Sequence, residues 1–243
     1  MGRNARLTQT FIVGMALAAM AGSVYASLVS HTLHTSFALA LLALAAATSR
    51  MKIKLPGIDG NMSVNLPFLL MAVVNLSALE AVLIACVSTV VQCWPKRSGK
   101  FRPEQMLFNV SMMVFATSMA KLIWSAGWLG KAAWASEPLM LASATAAFFL
   151  GQTAPVAGII KLAEGVAMRR VWTSIVQLSF PYYVLSAGMT SMVKMVSVHW
   201  GWQAVLVAFP VMYGVSLSYR LYFGHSAQAL RTPPMAKVAG AGV

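Results

Sequence analysis

Acid is scarce in this chain. Five Asp and Glu stand against eighteen Lys and Arg in 243 residues, and charged residues of both signs make up only 9%. Soluble domains usually carry about a quarter charged residues, so a water-facing globule is excluded. The acids Asp59, Glu80, Glu104, Glu137 and Glu164 are scattered, which offers no paired carboxylates for general acid–base chemistry. Cysteine is nearly missing too. Cys86 and Cys93 fall in one predicted helix, at a separation of about 10 Å between Cα atoms, too far for a disulfide. There is no CxxC and no Cys/His ligand spacing, so no metal site is expected. Walker, GxSxG and HExxH motifs are absent, and neither an enzymatic activity nor a cofactor is expected.

What is present is apolar. Hydrophobic residues make up 59% and the mean hydropathy is +0.73. Runs of membrane-spanning length recur along most of the chain, which reads as a single polytopic membrane domain over residues 1–223 and a disordered cytoplasmic tail over 224–243. Arg3 and Arg6 precede an apolar run with further spans beyond it, the pattern of a first transmembrane helix rather than a cleaved signal. The basic residues lie in alternate gaps. Fifteen of the eighteen fall on one side of the predicted spans; Lys121, Lys131 and Lys194 are the exceptions. Positive charge accumulates on the cytoplasmic side, which puts both termini there and makes the number of crossings even. Charge dispersed in this way does not suit a nucleic-acid binder, which gathers it on one folded face.

The expected fold is an all-α membrane protein, a bundle of about eight transmembrane helices with a small surface β-hairpin near residues 51–66. The spans cover about 10–30, 35–48, 66–76, 78–94, 104–124, 138–162, 171–196 and 203–223. In the first, Gly14, Ala18, Gly22 and Ala26 recur every four residues, a face slim enough for another helix to approach closely. The pentads Met51–Leu55 and Met62–Leu66 alternate apolar and polar around a Pro56-Gly57 turn, a hairpin signature. The 28-residue stretch from Pro67 to Trp94 is apolar over most of its length and too long for one ordinary span. Ser77 and Glu80 divide it as a capping box. The short piece before the break either crosses with help from the hairpin arm or is re-entrant, which requires protein all around it. Gly151, Pro155 and Gly158 are expected to kink the sixth span.

The stretch from Lys52 to Asn109 resembles a bacterial membrane domain. The matching pieces are Lys52-Ile53-Lys54-Leu55-Pro56-Gly57, Met62-Ser63-Val64-Asn65, Leu76-Ser77, Glu80, Val91-Gln92-Cys93-Trp94 and Leu107-Phe108-Asn109-Val110, with Phe180-Pro181-Tyr182-Tyr183 further on. It is similar to the N-terminal polytopic domain found ahead of cyclic-di-GMP enzymes of the GGDEF or HD-GYP type, taken to be a sensor or membrane anchor. The resemblance implies a bacterial inner-membrane location. Residues 224–243 carry no GGDEF, HD or kinase motif, so it further implies a stand-alone input module or one that signals through a partner.

Few residues remain as site candidates. Glu80 is the sharpest intramembrane carboxylate; it could hold a cation or proton, or serve only the capping box. Lys121 and Lys194 could pair with Glu80 or attract an anion, or could simply snorkel at helix ends. The amides Asn75, Asn109, Gln152 and Gln177 suit interhelical hydrogen bonds. Beside the kinked span, Asn75, Asn109 and Gln152 could also line a polar ligand cavity. Lys96, Arg97, Lys100 and Arg102 could face anionic lipid or a cytoplasmic partner, although orientation alone accounts for them. His31, His34 and His199 could bind a metal or sense pH, but they lack a carboxylate or cysteine at fixed spacing. Met189, Met192 and Met195 suit Cu(I) by chemistry, yet steps of three drift around a helix and favour plain packing. The reading that follows is a non-enzymatic sensor or signal-input module. It would bind a small or lipophilic ligand and act through a cytoplasmic signalling protein. It would contact membrane lipids, no nucleic acid, and could self-associate as a homo-oligomer. The alternatives are a small-solute transporter, or substrate-binding subunit of an importer, and a scaffold without ligand.

Overall fold

Prolines and serines start the helices where the sequence places them. The computed structural model describes residues 3–30, 35–54, 61–95, 101–126 and 136–229. Among these are eight α-helices: α1 (Arg3–Val29), α2 (Thr35–Ser49), α3 (Leu66–Asn75), α4 (Ala78–Cys93), α5 (Pro103–Trp124), α6 (Glu137–Glu164), α7 (Met168–Trp200) and α8 (Ala204–Ala229). Proline occupies the first turn of α3, α5 and α6, where its missing N–H would have had no helical acceptor. Gly165 ends α6 at φ 71° and Gly201 ends α7 at φ 59°, backbone conformations that a side chain would strain.

The bulk of the fold is therefore all-α, as expected. Among the described residues, three helices are long and apolar enough to cross a membrane: α1 over Arg6–Val29, α5 and α6. Shorter apolar helices are Ser36–Ser49, α3, α4 and Ala204–Val215. Two three-residue strands, β1 (Lys52–Lys54) and β2 (Asn61–Ser63), pair antiparallel with Ile53 opposite Met62. They are shorter than the alternating pentads suggest, because a turn at Val64–Asn65 leads at once into α3. The expected turn at 55–60 lies outside the described residues.

Side-chain contacts fix which helix ends meet. Ser63 Oγ donates to Gln92 Oε1 at 3.2 Å, which sets the start of α3 beside the end of α4. Asn109 Nδ2 donates to Cys93 Sγ at 3.4 Å, so α5 starts there too. At the opposite end, Lys121 of α5 reaches Val73 and Leu76 at the end of α3, and Ser30 after α1 accepts from Leu79 N–H of α4 at 2.9 Å. Lys194 of α7 pairs with Glu137 of α6 at this same end. Successive helices thus run alternately up and down.

The core forms around α3. Every residue from Leu66 to Val74 is buried. A helix that is apolar all round has no solvent face to offer and must be enclosed. Leu41 and Ala45 of α2, Ala81 and Ala85 of α4, Met113 and Ala116 of α5, Tyr182 and Met189 of α7 and Val205 of α8 pack in the same cluster. The slim face of α1 is used over part of its length. A Cβ on Gly22 would come within 2.6 Å of Ser118 Oγ on α5, and Ala26 is buried. Gly14 has nothing within 4 Å. On α6, a Cβ at Gly151 would meet Ala116 Cα of α5 at 2.9 Å, so glycine there sets a close helix crossing.

Candidate functional site

The break between α3 and α4 leaves a specific set of backbone groups to satisfy. A helix end exposes carbonyls and a helix start exposes N–H groups. Ser77 and Glu80 serve the start of α4. Ser77 Oγ accepts from Glu80 N–H at 3.3 Å, and Glu80 Oε2 accepts from Ser77 N–H at 2.9 Å and from its hydroxyl at 2.7 Å. That is the reciprocal capping box, and its acid stands where the helix dipole is positive. Because Ser77 N–H is turned to Glu80, it does not return to Val73, its acceptor in a continuous helix. Lys121 supplies the donor instead. Its Nζ donates to Val73 O at 2.8 Å and to Leu76 O at 2.5 Å, a cation at the negative end of α3.

Glu80 and Lys121 are thus brought together across the break, each answering one helix end and each within the other's field. Glu80 is only 6% exposed. Beside the break lies a cavity of about 280 Å³ lined by Tyr25, Val29, Ser30, Ser77, Ala78, Lys121 and Ser125. The break is bordered by buried protein on one side and by this cavity on the other. A second, largely apolar groove of about 470 Å³ lies between α1 and α6, against Leu7, Thr10, Phe11, Gly14 and Leu162.

No protein-family model, curated protein or solved structure matches this chain.

The other candidates go elsewhere. Lys194 pairs with Glu137 rather than Glu80 and lies 4.8 Å from the centre of the Trp124 ring, a cation–π contact. The amides do not assemble around the proline of α6. Asn75 Nδ2 donates to Met71 O in its own helix at 3.0 Å; Asn109 meets Cys93 on α4; Gln152 Oε1 accepts from the Tyr183 hydroxyl. Phe149 packs edge-on to that same tyrosine at 4.8 Å, so Gln152 sits in a tight aromatic joint between α6 and α7. Gln177 is exposed on α7. Met189 is buried while Met192 and Met195 are 68% and 72% exposed, so the three thioethers do not converge. Both cysteines are free and half-buried. Arg102 is exposed at the start of α5 and makes no side-chain cap. Lys96, Arg97, Lys100, His31 and His34 lie outside the described residues. Among the described residues no group of three His, Cys, Asp or Glu could hold a metal ion.

Sequence reasoning missed Tyr25, Ser30 and Ser125 of the cavity wall, and Glu137. The acid in the first turn of α6 carried a usable signal, since it and Lys194 sit at helix ends predicted on one side. The serines carried none: a hydroxyl near a span end looks the same whether or not it lines a cavity.

Proposed function

We propose that this chain is a non-enzymatic, multi-pass protein of the bacterial inner membrane that acts as a signal-input module. In this reading all eight helices cross or line the bilayer, both termini are cytoplasmic, and the cavity beside Lys121 faces the outer half. One observation carries it. The ammonium of Lys121, on a helix long enough to span, holds the end of a short buried helix whose start leaves the β1–β2 pair at the other end of the bundle. A ligand that competes for Lys121 would loosen α3 from α5 and so alter packing at the far end, where Arg102 and the basic 96–100 segment are expected to meet a cytoplasmic partner. Ligands shift such equilibria only through differential contacts in two states, and a lysine shared between ligand and backbone supplies one. The resemblance of 52–109 to the input domains of cyclic-di-GMP enzymes favours the same reading.

The test is recovery of cytoplasmic proteins with the purified chain. Charge reversal at Arg97 and Arg102, or removal of 225–243, is expected to reduce it sharply; undiminished recovery would count against the proposal. The break between the short α3 and α4 favours a transporter as the second reading, because transporters use interrupted helices. Uptake of a labelled solute by proteoliposomes holding this chain alone would decide for it.

A further inference from the structure

The cavity at the α3–α4 break is lined by one cationic side chain and by no carboxylate. Glu80 does not line it; its carboxylate is engaged by the Ser77 N–H and hydroxyl. Lys121 does line it. Two of the three donors of its ammonium go to Val73 and Leu76, and the third has no acceptor among the described residues. Ser30 Oγ is already committed, donating to Ala26 O at 2.7 Å and accepting from Leu79 N–H. Ser125, at the end of α5, is exposed beside Lys121. Val29 and Tyr25 of α1, 47% and 43% exposed, supply an apolar flank. A volume of about 280 Å³ falls just below the usual range for small-molecule sites, about 300–1,000 Å³. It holds a headgroup and a few carbons rather than a whole lipid.

The geometry points to a binding site for an anionic oxygen headgroup, carboxylate or phosphate, carried on a short apolar segment. Its oxygens would take the spare donor of Lys121 and the Ser125 hydroxyl, charge-assisted hydrogen bonds that outlast competition from water when half-buried. The apolar segment would lie along Val29. This deepens the input-module reading, and rests on it only for what binding causes. The headgroup could belong to a free short-chain acid or to an anionic lipid.

The full chain in phosphatidylcholine nanodiscs, followed by thermal unfolding, distinguishes these. A ligand that binds only the folded state raises the midpoint saturably. Hexanoate is expected to do so if the ligand is a free acid, and phosphatidylglycerol added to the disc if it is a lipid; hexanol, with the same tail and no charge, should do neither. Lys121→Met should weaken the effective anion by at least about tenfold, the loss of one charge-assisted hydrogen bond. Val29→Trp should do the same by filling the cavity. Val29→Trp keeps the ammonium and both its backbone bonds, so it carries the test if Lys121→Met does not fold. No response to either anion, an equal response to hexanol, or undiminished anion binding by Val29→Trp would overturn the site. Saturable binding that leaves partner recovery unchanged would keep the site and remove the signalling role.

Discussion

Two lysines at one end of the bundle do different work. Lys121 points inward and bonds to two backbone carbonyls that the α3–α4 break leaves without helical donors. Lys194 points along the rim, pairs with Glu137 and lies over Trp124. The first holds a backbone discontinuity closed; the second ties together the ends of three helices that are already continuous. The lysine facing backbone has no substitute nearby, because carbonyls cannot pair with each other. The one at the rim, 33% exposed beside a carboxylate 60% exposed, has water as an alternative partner for both groups.

The largest effect should therefore follow Lys121→Met, which keeps most of the side-chain volume and removes all three donors. Two buried carbonyls left without donors should cost about 2–6 kcal/mol, at about 1–3 kcal/mol for each orphaned group. The measurement is reversible unfolding in mixed detergent micelles. A loss no larger than that of Lys194→Met would erase the distinction between the two lysines.

Glu80→Gln comes next. The amide can still accept from Ser77 N–H, so only the charge and part of the capping geometry disappear. A loss of about 1–2 kcal/mol is expected, typical of a helix cap. Combined with Lys121→Met, the two changes should be less than additive, because each single change already uncouples the pair. Full additivity would mean that the helix ends are served independently.

How much of this was legible in the sequence differs between the two lysines for a physical reason. The break itself was readable: Ser77 and Glu80 stand at capping-box spacing inside an apolar stretch too long for one span. The helix boundaries follow from Pro67, Pro103, Pro138 and Gly165, whose backbone preferences are local. Lys121 as a candidate was readable as a charge in an apolar helix, but its partners were not, since backbone carbonyls have no residue type to mark them. Grouping Lys194 with Glu80 was wrong because sequence gives the end of the bundle a residue occupies, not its position around the axis; Glu137 is the nearer acid. The same gap explains the amides. Asn75, Asn109 and Gln152 were expected to share a cavity beside Pro155. One bonds within its own helix, one to a cysteine and one to a tyrosine, because rotation about each helix axis decides which face a polar residue joins.

The smallest effect is the most diagnostic of the rim. Glu137→Gln should cost only about 0.2–1 kcal/mol, the usual worth of an exposed ion pair, and that loss should vanish as ionic strength rises toward 1 M, where the screening length falls to about 3 Å. Lys194 would keep its place over Trp124, since the ring face attracts the ammonium whether or not the carboxylate is there. Trp124→Leu should accordingly add its own loss, of about 0.5–1 kcal/mol, with a weaker salt dependence. The Lys121→Met loss should barely respond to the same salt, because its carbonyl partners are neutral and enclosed. Parallel salt titrations of Glu137→Gln and Lys121→Met therefore set the two ends of the comparison against each other. Equal salt sensitivity would show that Lys121 is held by long-range charge after all, and that the bonds to Val73 and Leu76 contribute little.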